Sequence, residues 1–368
     1  MRILYGVQGT GNGHITRARL LCAALKQRGI KLDVLMSGRV GALPEVPEFD
    51  DYRAVKGISF YHHGGKIDRW ETLKNLSLKQ FRKDVTGLDL SAYDLLINDF
   101  EPVSAWAAKQ QGLKSLSISH QAAFLYDVPC KQMSYWNQLL IRYFAPCEYN
   151  LGVHWCDNQQ PIIPPLVEPL SNISNHGKIL VYLPFESLAQ IKLLLRRFST
   201  YQFVCFHPDI SHVGEDENIQ FQPIARQTFL SHLSACAGVF CNAGFELPSE
   251  AMAAGKKLLV KPLIGQFEQQ SNAYTLQSLN LAQVTDSLDP YQLDAWLQQE
   301  QAEPVHYPNV AAILAEYIQS GEWLELSSMA SAMWRQVSYP ASSQQMMTNI
   351  IQDKTASENT LSKIKVWG

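Results

Sequence analysis

Two candidates for acid–base chemistry lie just beyond apolar segments of the sequence, one after a glycine-rich turn and one directly. His14 lies in the stretch GTGNGHITR, and Asp99 lies in INDFEP, which also contains Glu101. A histidine side chain ordinarily titrates near pH ~6.5, so it can remove the proton of a hydroxyl group at neutral pH, and a carboxylate can do the same. These residue types predict a general base, with either His14 or Asp99 in that role. Asp99 could equally cap the helix that is expected to begin near Val103.

A second group of residues predicts a site for a phosphorylated, hydroxylated ligand. Residues 238–272 are expected to form a strand, a glycine turn at Gly244, a helix, a second strand and a polar loop. Unpaired amides and the positive end of the dipole at such a helix start favour an anion. Glu250 lies one turn inside the helix, and the loop supplies Glu268, Gln269 and Asn272. Phosphate donors, an acid for ribose hydroxyls and a polar loop together predict a nucleotide-sugar site.

The glycine-rich turn before His14 does not match a dinucleotide-binding fingerprint. Its glycines are Gly9, Gly11 and Gly13, whereas the fingerprint requires GxGxxG. Glycines here indicate that the backbone passes close to a ligand or to a packed neighbour. Arg17, one helical turn after His14, is a candidate for a phosphate contact from this half of the molecule.

Apolar segments alternate with helical patterns along the first half of the chain, which predicts βαβ units and a parallel sheet. The expected strands cover residues 2–7, 32–37, 95–98 and 115–119, and a helix is expected over residues 15–28. Ligands of such sheets bind at the carboxyl ends of the strands. Residues 8–14, Asp99 and His120 fall at that edge. His120 is therefore a further candidate, with a structural role as an equal alternative.

A second series of strands and helices follows the proline-rich stretch QQPIIPPLVEPL at residues 159–170, which is expected to be a linker rather than an element. We therefore predict an α/β fold with two Rossmann-like domains that face each other across a cleft. The predicted divisions are a first domain at 1–160, a linker at 161–175, a second domain at 176–325, a helix returning to the first domain at 326–352, and a tail at 353–368.

Composition is typical of a globular protein and excludes several classes. Of the 368 residues, 46% are hydrophobic and 18% are charged, which suits about two domains with their own cores. A net charge of −3 provides no basic field for nucleic acid. No apolar run approaches the ~20 residues of a membrane span. Seven cysteines without a CxxC pair predict reduced thiols in a cytoplasmic protein and offer no zinc-ligand spacing.

The segment at 238–273 resembles the donor-binding motif of inverting GT-B glycosyltransferases, which use nucleoside-diphosphate sugars. That motif contains a glycine turn, an acid, a glycine, an apolar strand ending in proline, an acidic or amide pair and an Asn-Ala. The chain has Gly244, Glu250, Gly255, Pro262, Glu268, Gln269, Asn272 and Ala273 in this order. The resemblance implies the GT-B fold, with the acceptor on the first domain and the donor on the second. It also implies that Glu250 binds the ribose, and that Glu268 and Gln269 bind the donor sugar.

The chain departs from the plant-type motif at two positions, where Asn242 and Leu247 replace a histidine and a serine. Diphosphate contacts would then depend on backbone amides around Gly244 and Phe245. Lys257 and Lys261, which flank the neighbouring strand, are expected to be solvated strand ends rather than diphosphate partners.

The amino-terminal GxGH turn is also similar to the same family. The resemblance assigns Gly11, Gly13 and Arg17 to the donor, and His14 is the base in many members. In other members this histidine only contacts the donor and a carboxylate is the base, so Asp99 stays an alternative. Residues 95–121 further resemble the MurG-like branch of bacterial and archaeal transferases, where Asp-Phe-x-Pro and Ser-x-x-His close successive strands. This implies that Glu101 and His120 are acceptor or cleft residues.

The implied reaction is transfer of a sugar, with inversion, from a nucleoside-diphosphate donor to a hydroxyl acceptor. UDP is the expected nucleotide. GT-B enzymes generally need no metal because helix-end amides offset the charge of the leaving diphosphate. No DxD-type box is found at a strand end, so neither a metal nor a cofactor is expected. Two alternatives stay open: an isomerase like UDP-N-acetylglucosamine 2-epimerase, and a non-catalytic nucleotide-sugar-binding protein.

An aromatic-rich segment at residues 132–155 bears on the acceptor. In peripheral transferases such a patch can rest on a bilayer near a lipid-linked acceptor. The alternative is an ordinary core helix followed by a strand, which the lack of a strong basic face favours. The expected location is therefore the cytoplasm, with peripheral contact at the inner face of the membrane and a lipid- or glycan-linked acceptor as open options.

Overall fold

The computed structural model describes residues 1–38, 46–49, 52–58, 62–63, 66–67, 77–157, 159–321 and 325–347. The predicted tail at 353–368 and the end of the predicted helix at 326–352 lie outside these residues. Across the described residues the chain forms two seven-stranded sheets with helices between their strands, and a short antiparallel pair.

The first sheet is parallel throughout. Its strands are β1 (Arg2–Gln8), β2 (Lys31–Ser37), β3 (Tyr52–Val55), β6 (Leu95–Asp99), β7 (Ser115–Ser119), β8 (Tyr149–Val153) and β9 (Ile162–Ile163), in the order β3-β2-β1-β6-β7-β8-β9. The antiparallel pair is β4 (His62–His63) and β5 (Lys66–Ile67). The helices are α1 (Asn12–Gln27), α2 (Leu78–Thr86), α3 (Pro102–Gln111), α4 (His120–Ala123) and α5 (Tyr135–Tyr143).

The second sheet has the same design with one antiparallel edge. Its strands are β10 (Ile179–Tyr182), β11 (Phe203–Phe206), β12 (Gly214–Asp216), β13 (Ile219–Gln222), β14 (Gly238–Asn242), β15 (Lys257–Lys261) and β16 (Gln283–Val284), in the order β12-β13-β11-β10-β14-β15-β16. The helices are α6 (Leu188–Leu195), α7 (Arg226–Ala235), α8 (Glu246–Ala253), α9 (Phe267–Ser278), α10 (Pro290–Leu297), α11 (Val310–Ser320) and α12 (Leu326–Trp334).

The strands form where the sequence is continuously apolar. Six of the seven residues of β1 are buried, as expected of a parallel strand that helices cover on both faces. Helix α3 begins at Pro102, where a missing N–H costs no hydrogen bond, and ends at Gly112 with φ of 70°. The strands and helices expected in the first half and over residues 238–261 are present, with bounds that differ by a few residues.

Two local predictions were wrong. The proline-rich stretch contains a strand, because Ile162 and Ile163 are fully buried and extend the first sheet beside β8. The segment after β15 is helical from Phe267 rather than a polar loop, so Glu268, Gln269 and Asn272 lie on α9.

The two sheets are closely connected. One apolar core contains Tyr5 and Leu151 from the first sheet with Val204 and Val260 from the second. Helix α12 packs on the edge of the first sheet, where the indole Nε1 of Trp334 donates to the carbonyl oxygen of Ile162 at 2.7 Å. The carboxyl ends of β1 and β6 therefore lie near the start of α8, where the candidate site forms.

Candidate active site

His14, Arg17 and Asp99 form one cluster at the carboxyl edge of the first sheet. His14 and Arg17 lie on the first turns of α1, and Asp99 is the last residue of β6. The Nδ1 atom of His14 is 2.7 Å from Oδ1 of Asp99. Arg17 donates from Nε to Oδ2 and from Nη2 to Oδ1 of the same carboxylate, both at 2.8 Å. The structure therefore brings together His14 and Asp99, which the sequence predicted for this edge, with Arg17, which was expected to contact a phosphate group.

The electrostatics of this cluster keep Asp99 charged. Burial alone would raise the pKa of Asp99, but the positive charge of Arg17 and the contact with His14 together hold that pKa below its usual value. Burial likewise opposes the charge of Arg17, and Asp99 with Glu246 raises its pKa instead. Asp99 is fully buried, whereas 12% of the His14 side chain is exposed. The imidazole is thus the member of the cluster that solvent or a ligand can reach.

The cluster also contacts the second half of the molecule. Nη1 of Arg17 donates to Oε1 of Glu246, the first residue of α8. A methyl group at Gly13 would lie 2.9 Å from Cγ of Glu246, so this glycine permits a close approach between the two halves. Burial raises the pKa of Glu246 to about 8, against the opposing charge of Arg17. Gly13 and Arg17, expected to contact the donor, are therefore engaged with Glu246.

Glu101 was expected at the cleft, but the structure places it in the interior of the first domain. Its carboxylate caps α3 by accepting from the amides of Val103 and Ser104, both at 2.7 Å, and from the hydroxyl of Ser37 at 2.5 Å. Glu101 is fully buried, and burial raises its pKa. Glu101 therefore caps α3, a role that the sequence had suggested for Asp99, because Glu101 directly precedes the helix.

His120 lies between the two halves and is 1% exposed. Its Nδ1 is 2.8 Å from the carbonyl oxygen of Val153, and its Nε2 is 2.7 Å from Oδ1 of Asn272 on α9. The imidazole stacks on Phe245 with ring centroids 4.0 Å apart, and Phe245 also stacks on Trp155. Burial lowers the pKa of His120. His120, Phe245 and Asn272 thus form an interdomain contact in this structure rather than an open surface.

Glu250 is 3% exposed and lies near the proline-rich segment. Its Oε1 accepts from Nη2 of Arg226 at 2.9 Å, and the same nitrogen donates to Glu168 at 2.6 Å. Burial raises the pKa of Glu250, although Arg226 opposes this change. A ribose could therefore reach this carboxylate only by replacing or sharing the contact with Arg226.

The remaining predicted donor residues occupy different settings. Gly11 and Gly244 are partly exposed. Glu268 accepts from Nε2 of Gln121 at 3.0 Å, which joins α9 to α4. Gln269 is buried and accepts from the amide of Leu263 at 3.1 Å. Asn242 donates from Nδ2 to the carbonyl oxygen of Lys261 at 3.0 Å.

Sequence reasoning missed Glu246 and the pair formed by Lys261 and Glu186, whose Nζ and Oε1 atoms are 2.6 Å apart. Glu246 lies between Gly244 and Glu250, where an acid also simply stabilises a helix start, so nothing local indicated a partner in the other domain. Within the residues that the structure covers, no group of three or more His, Cys, Asp or Glu side chains has metal-binding geometry.

The aromatic segment divides into two parts. Strand β8 is largely buried, but α5 has no buried residue, and Tyr135, Trp136 and Tyr143 are more than half exposed. The expectation of an ordinary core helix is therefore wrong for α5. Of the described helices, none is both long and apolar enough to cross a bilayer.

Comparison with known proteins defines the class of this molecule. Its two parallel-sheet domains match GT-B structures, and the family model described as Glycosyl transferase family 1 matches residues 1–300. The chain therefore belongs to glycosyl transferase family 1 and is a glycosyltransferase. No curated protein sequence matches it.

Several solved structures share the fold at low sequence identity. The glycotransferase of kitacinnamycin is 15% identical with a TM-score of 0.56, covering 92% of this chain and 99% of that one. SnogD from Streptomyces nogalater is 15% identical with a TM-score of 0.51, covering 95% and 99%. LpCGTa in complex with UDP is 13% identical with a TM-score of 0.55, covering 95% and 98%.

Proposed function

We propose that this glycosyltransferase transfers a sugar from a nucleoside-diphosphate donor, with UDP as the expected nucleotide, to a hydroxyl acceptor. The transfer inverts the anomeric carbon and needs no metal. The observation that carries the proposal is the contact of 2.7 Å between His14 Nδ1 and Asp99 Oδ1, at the sheet edge that faces α8. This arrangement suits proton removal from a hydroxyl group.

In the proposed mechanism His14 is the base and Asp99 orients it. The charged carboxylate accepts from Nδ1–H, which leaves Nε2 of the neutral ring unprotonated and able to take a proton. Both oxygens of Asp99 are already engaged by His14 and Arg17, which favours His14 over Asp99 as the base.

The bond changes follow from this assignment. The acceptor oxygen attacks the anomeric carbon as its proton passes to Nε2 of His14. The bond between that carbon and the diphosphate oxygen breaks on the opposite face, and its electron pair stays on the diphosphate. General-base catalysis of this kind contributes about 10²–10⁴-fold to a rate.

We assign the donor to the second domain, at 176–325, and the acceptor to the first, at 1–160, with 161–175 between them and 326–352 returning to the first domain. The turn at Gly244 and the start of α8 would contact the diphosphate, and Glu250 and Glu268 would contact the ribose and the sugar. The structure of LpCGTa in complex with UDP, which shares this fold, supports a UDP-linked donor. Binding requires the domains to separate, because Phe245 and Asn272 are engaged with His120 in this structure.

Metal independence is proposed because helix-end amides can offset the negative charge that develops on the leaving diphosphate. For the acceptor, the exposed aromatic residues of α5 support a hydroxyl group carried on a lipid or glycan. Peripheral contact with the inner face of the membrane stays a prediction on this basis.

The proposal is tested by a thermal-shift panel of UDP-, dTDP- and GDP-sugars. A ligand that binds the native state raises its melting temperature with affinity, so one nucleotide class should produce a clear shift. The stabilising donor is then incubated with hydroxyl acceptors in excess chelator, and the anomeric configuration of the product is determined by NMR.

Each alternative has its own outcome. Conversion of the donor sugar without any acceptor would indicate an epimerase. Donor binding that survives His14→Ala and Asp99→Ala, with no turnover by the native protein, would indicate a non-catalytic binding protein. No shift with any nucleotide sugar would contradict the proposal as a whole.

A further inference from the structure

A buried ion pair lies at the carboxyl edge of the second sheet. Nζ of Lys261, the last residue of β15, is 2.6 Å from Oε1 of Glu186, which lies in the loop between β10 and α6. The two side chains are only 8% and 13% exposed. A lysine enclosed to this degree is costly unless a negative group compensates it, so the protein keeps an anion beside Lys261.

The position of the pair in the sheet is informative. Strand β14 lies between β10 and β15, so Glu186 and Lys261 reach toward each other across the end of β14. The turn at Gly244 and the first turn of α8 follow β14 directly. The carboxylate of Glu186 therefore lies at the end of the strand that leads into the predicted anion site.

Neighbouring side chains hold this ion pair in place, and one polar atom beside it has no hydrogen-bond partner among the described residues. The Nε2 atom of His207 is 2.9 Å from the carbonyl oxygen of Glu186 and holds this loop in place. Asn242, 7% exposed, uses Nδ2 on the carbonyl oxygen of Lys261, while its Oδ1 has no hydrogen-bond partner among the described residues. This amide oxygen only accepts hydrogen bonds, so an O–H or N–H donor would complete it rather than a phosphate oxygen.

The helix start itself supplies no cation for an anion at this edge. Helix α8 begins with Glu246, whose pKa is raised to about 8, so that its side chain adds no positive charge there. Arg17, the cation that contacts Glu246, is already engaged by Asp99. Lys261 is held by a single carboxylate on a loop, which a stronger anion can replace.

We propose that Lys261 binds the diphosphate of the nucleotide donor. The carboxylate of Glu186 pairs with the ammonium group of Lys261 until the diphosphate takes its place. This inference rests on the proposed function. Phosphate oxygens would take the place of the carboxylate and make charge-assisted hydrogen bonds with Nζ. The same contact stabilises the negative charge that stays on the diphosphate after transfer, in the role that a metal ion has in other transferases.

The test is calorimetric binding of UDP, UMP and uridine in metal-free buffer. Lys261→Met should weaken UDP binding about 10–100-fold, because a charge-assisted hydrogen bond contributes ~1.5–3 kcal/mol. Glu186→Gln removes the negative charge that competes with the diphosphate and should tighten UDP binding. Uridine binding should be the same in all proteins, since it has no phosphate.

Lys257→Met is the matched control, because Lys257 flanks the same strand at its other end and donates to the carbonyl oxygens of Leu297 and Gln299. It should bind UDP as the native protein does. Should Lys261→Met fail to fold, Glu186→Gln and the charge-preserving Lys261→Arg decide the question.

The outcomes separate the two proposals. Native protein that binds UDP, with unchanged affinity in Lys261→Met or in Glu186→Gln, overturns the role of this pair and leaves the proposed function intact. Native protein that binds none of UDP, GDP and dTDP overturns the proposed function, and this inference with it.

Discussion

His14 and His120 both lie at the carboxyl edge of the first sheet yet have opposite surroundings. His14 lies near the start of α1, after the turn that follows β1, and His120 begins α4 directly after β7. His14 is partly exposed and contacts a charged carboxylate through one nitrogen, whereas His120 is buried, stacked on Phe245 and engaged through both nitrogens. Position at a strand end therefore does not decide the role of a histidine. A nitrogen that is free for a ligand suits chemistry, and a ring with both nitrogens engaged suits a structural connection.

The largest expected effect separates the two residues by turnover. His14→Ala removes the proposed base, so we expect turnover to fall about 10²–10⁴-fold with little change in melting temperature. Turnover is measured with the donor and acceptor that the nucleotide-sugar panel identifies. Native-like turnover in His14→Ala would show that His14 is not the base and that the two histidines do not differ in catalytic role.

His120→Ala should show the converse pattern. Loss of a buried, stacked and hydrogen-bonded ring should lower the free energy of unfolding by about 2–4 kcal/mol, with a smaller loss of turnover than His14→Ala. Urea denaturation measures the change. His176→Ala, at an exposed histidine, is the control and should be neutral. Equal free energies of unfolding for His120→Ala and His176→Ala would show that His120 does not connect the domains.

The charge cluster on the His14 side gives a pH-dependent prediction. The pKa of Glu246 is raised from 4.5 to about 8, so between these pH values the folded protein keeps a proton that the unfolded chain releases. Stability should therefore fall as pH rises through this range, by up to about 1.4 kcal/mol per pH unit. Glu246→Gln should flatten this slope in melting temperatures recorded from pH 4.5 to pH 8. A slope that persists in the variant assigns the effect to other groups.

The smallest effect is expected at Arg28, the residue that directly follows α1. Arg28 pairs with Glu316 of α11 at 2.8 Å, but both side chains are substantially exposed. Arg28→Ala should change the free energy of unfolding by about 0–1 kcal/mol. If Arg28→Ala lowered the free energy of unfolding as much as His120→Ala, burial would not explain how much a contact between elements stabilises the fold.

Much of the fold was predictable because parallel strands are continuous apolar segments. The same regularity places strand ends at one edge, which predicted that His14 and Asp99 would lie at the same edge of the first sheet. The contact of Arg17 with Asp99 was not predicted, because Arg17 was expected to contact a phosphate group. The strand at Ile162 was missed because four prolines in the surrounding stretch indicate a linker. The identity of the cap of α3 was missed because Asp99 and Glu101 both precede the helix, and only the backbone geometry distinguishes them.

Contacts that cross the two domains were not predictable from local sequence. Glu246 with Arg17, His120 with Asn272, and Trp155 with Ser249 each join residues that are distant along the chain. No periodicity or turn signal encodes such pairs, since they depend on how the domains are arranged. For the same reason Lys261, expected to be solvated at its strand end, is buried against Glu186.

The missing side chain at Gly13 determines how near the two lobes can come. Because even one methyl group would lie 2.9 Å from Cγ of Glu246, alanine, serine and valine at this position would act as spacers of increasing thickness. Such a series would widen the gap between the lobes in small steps and would leave the proposed catalytic residues unchanged. It therefore offers a means of adjusting which molecules fit between the lobes.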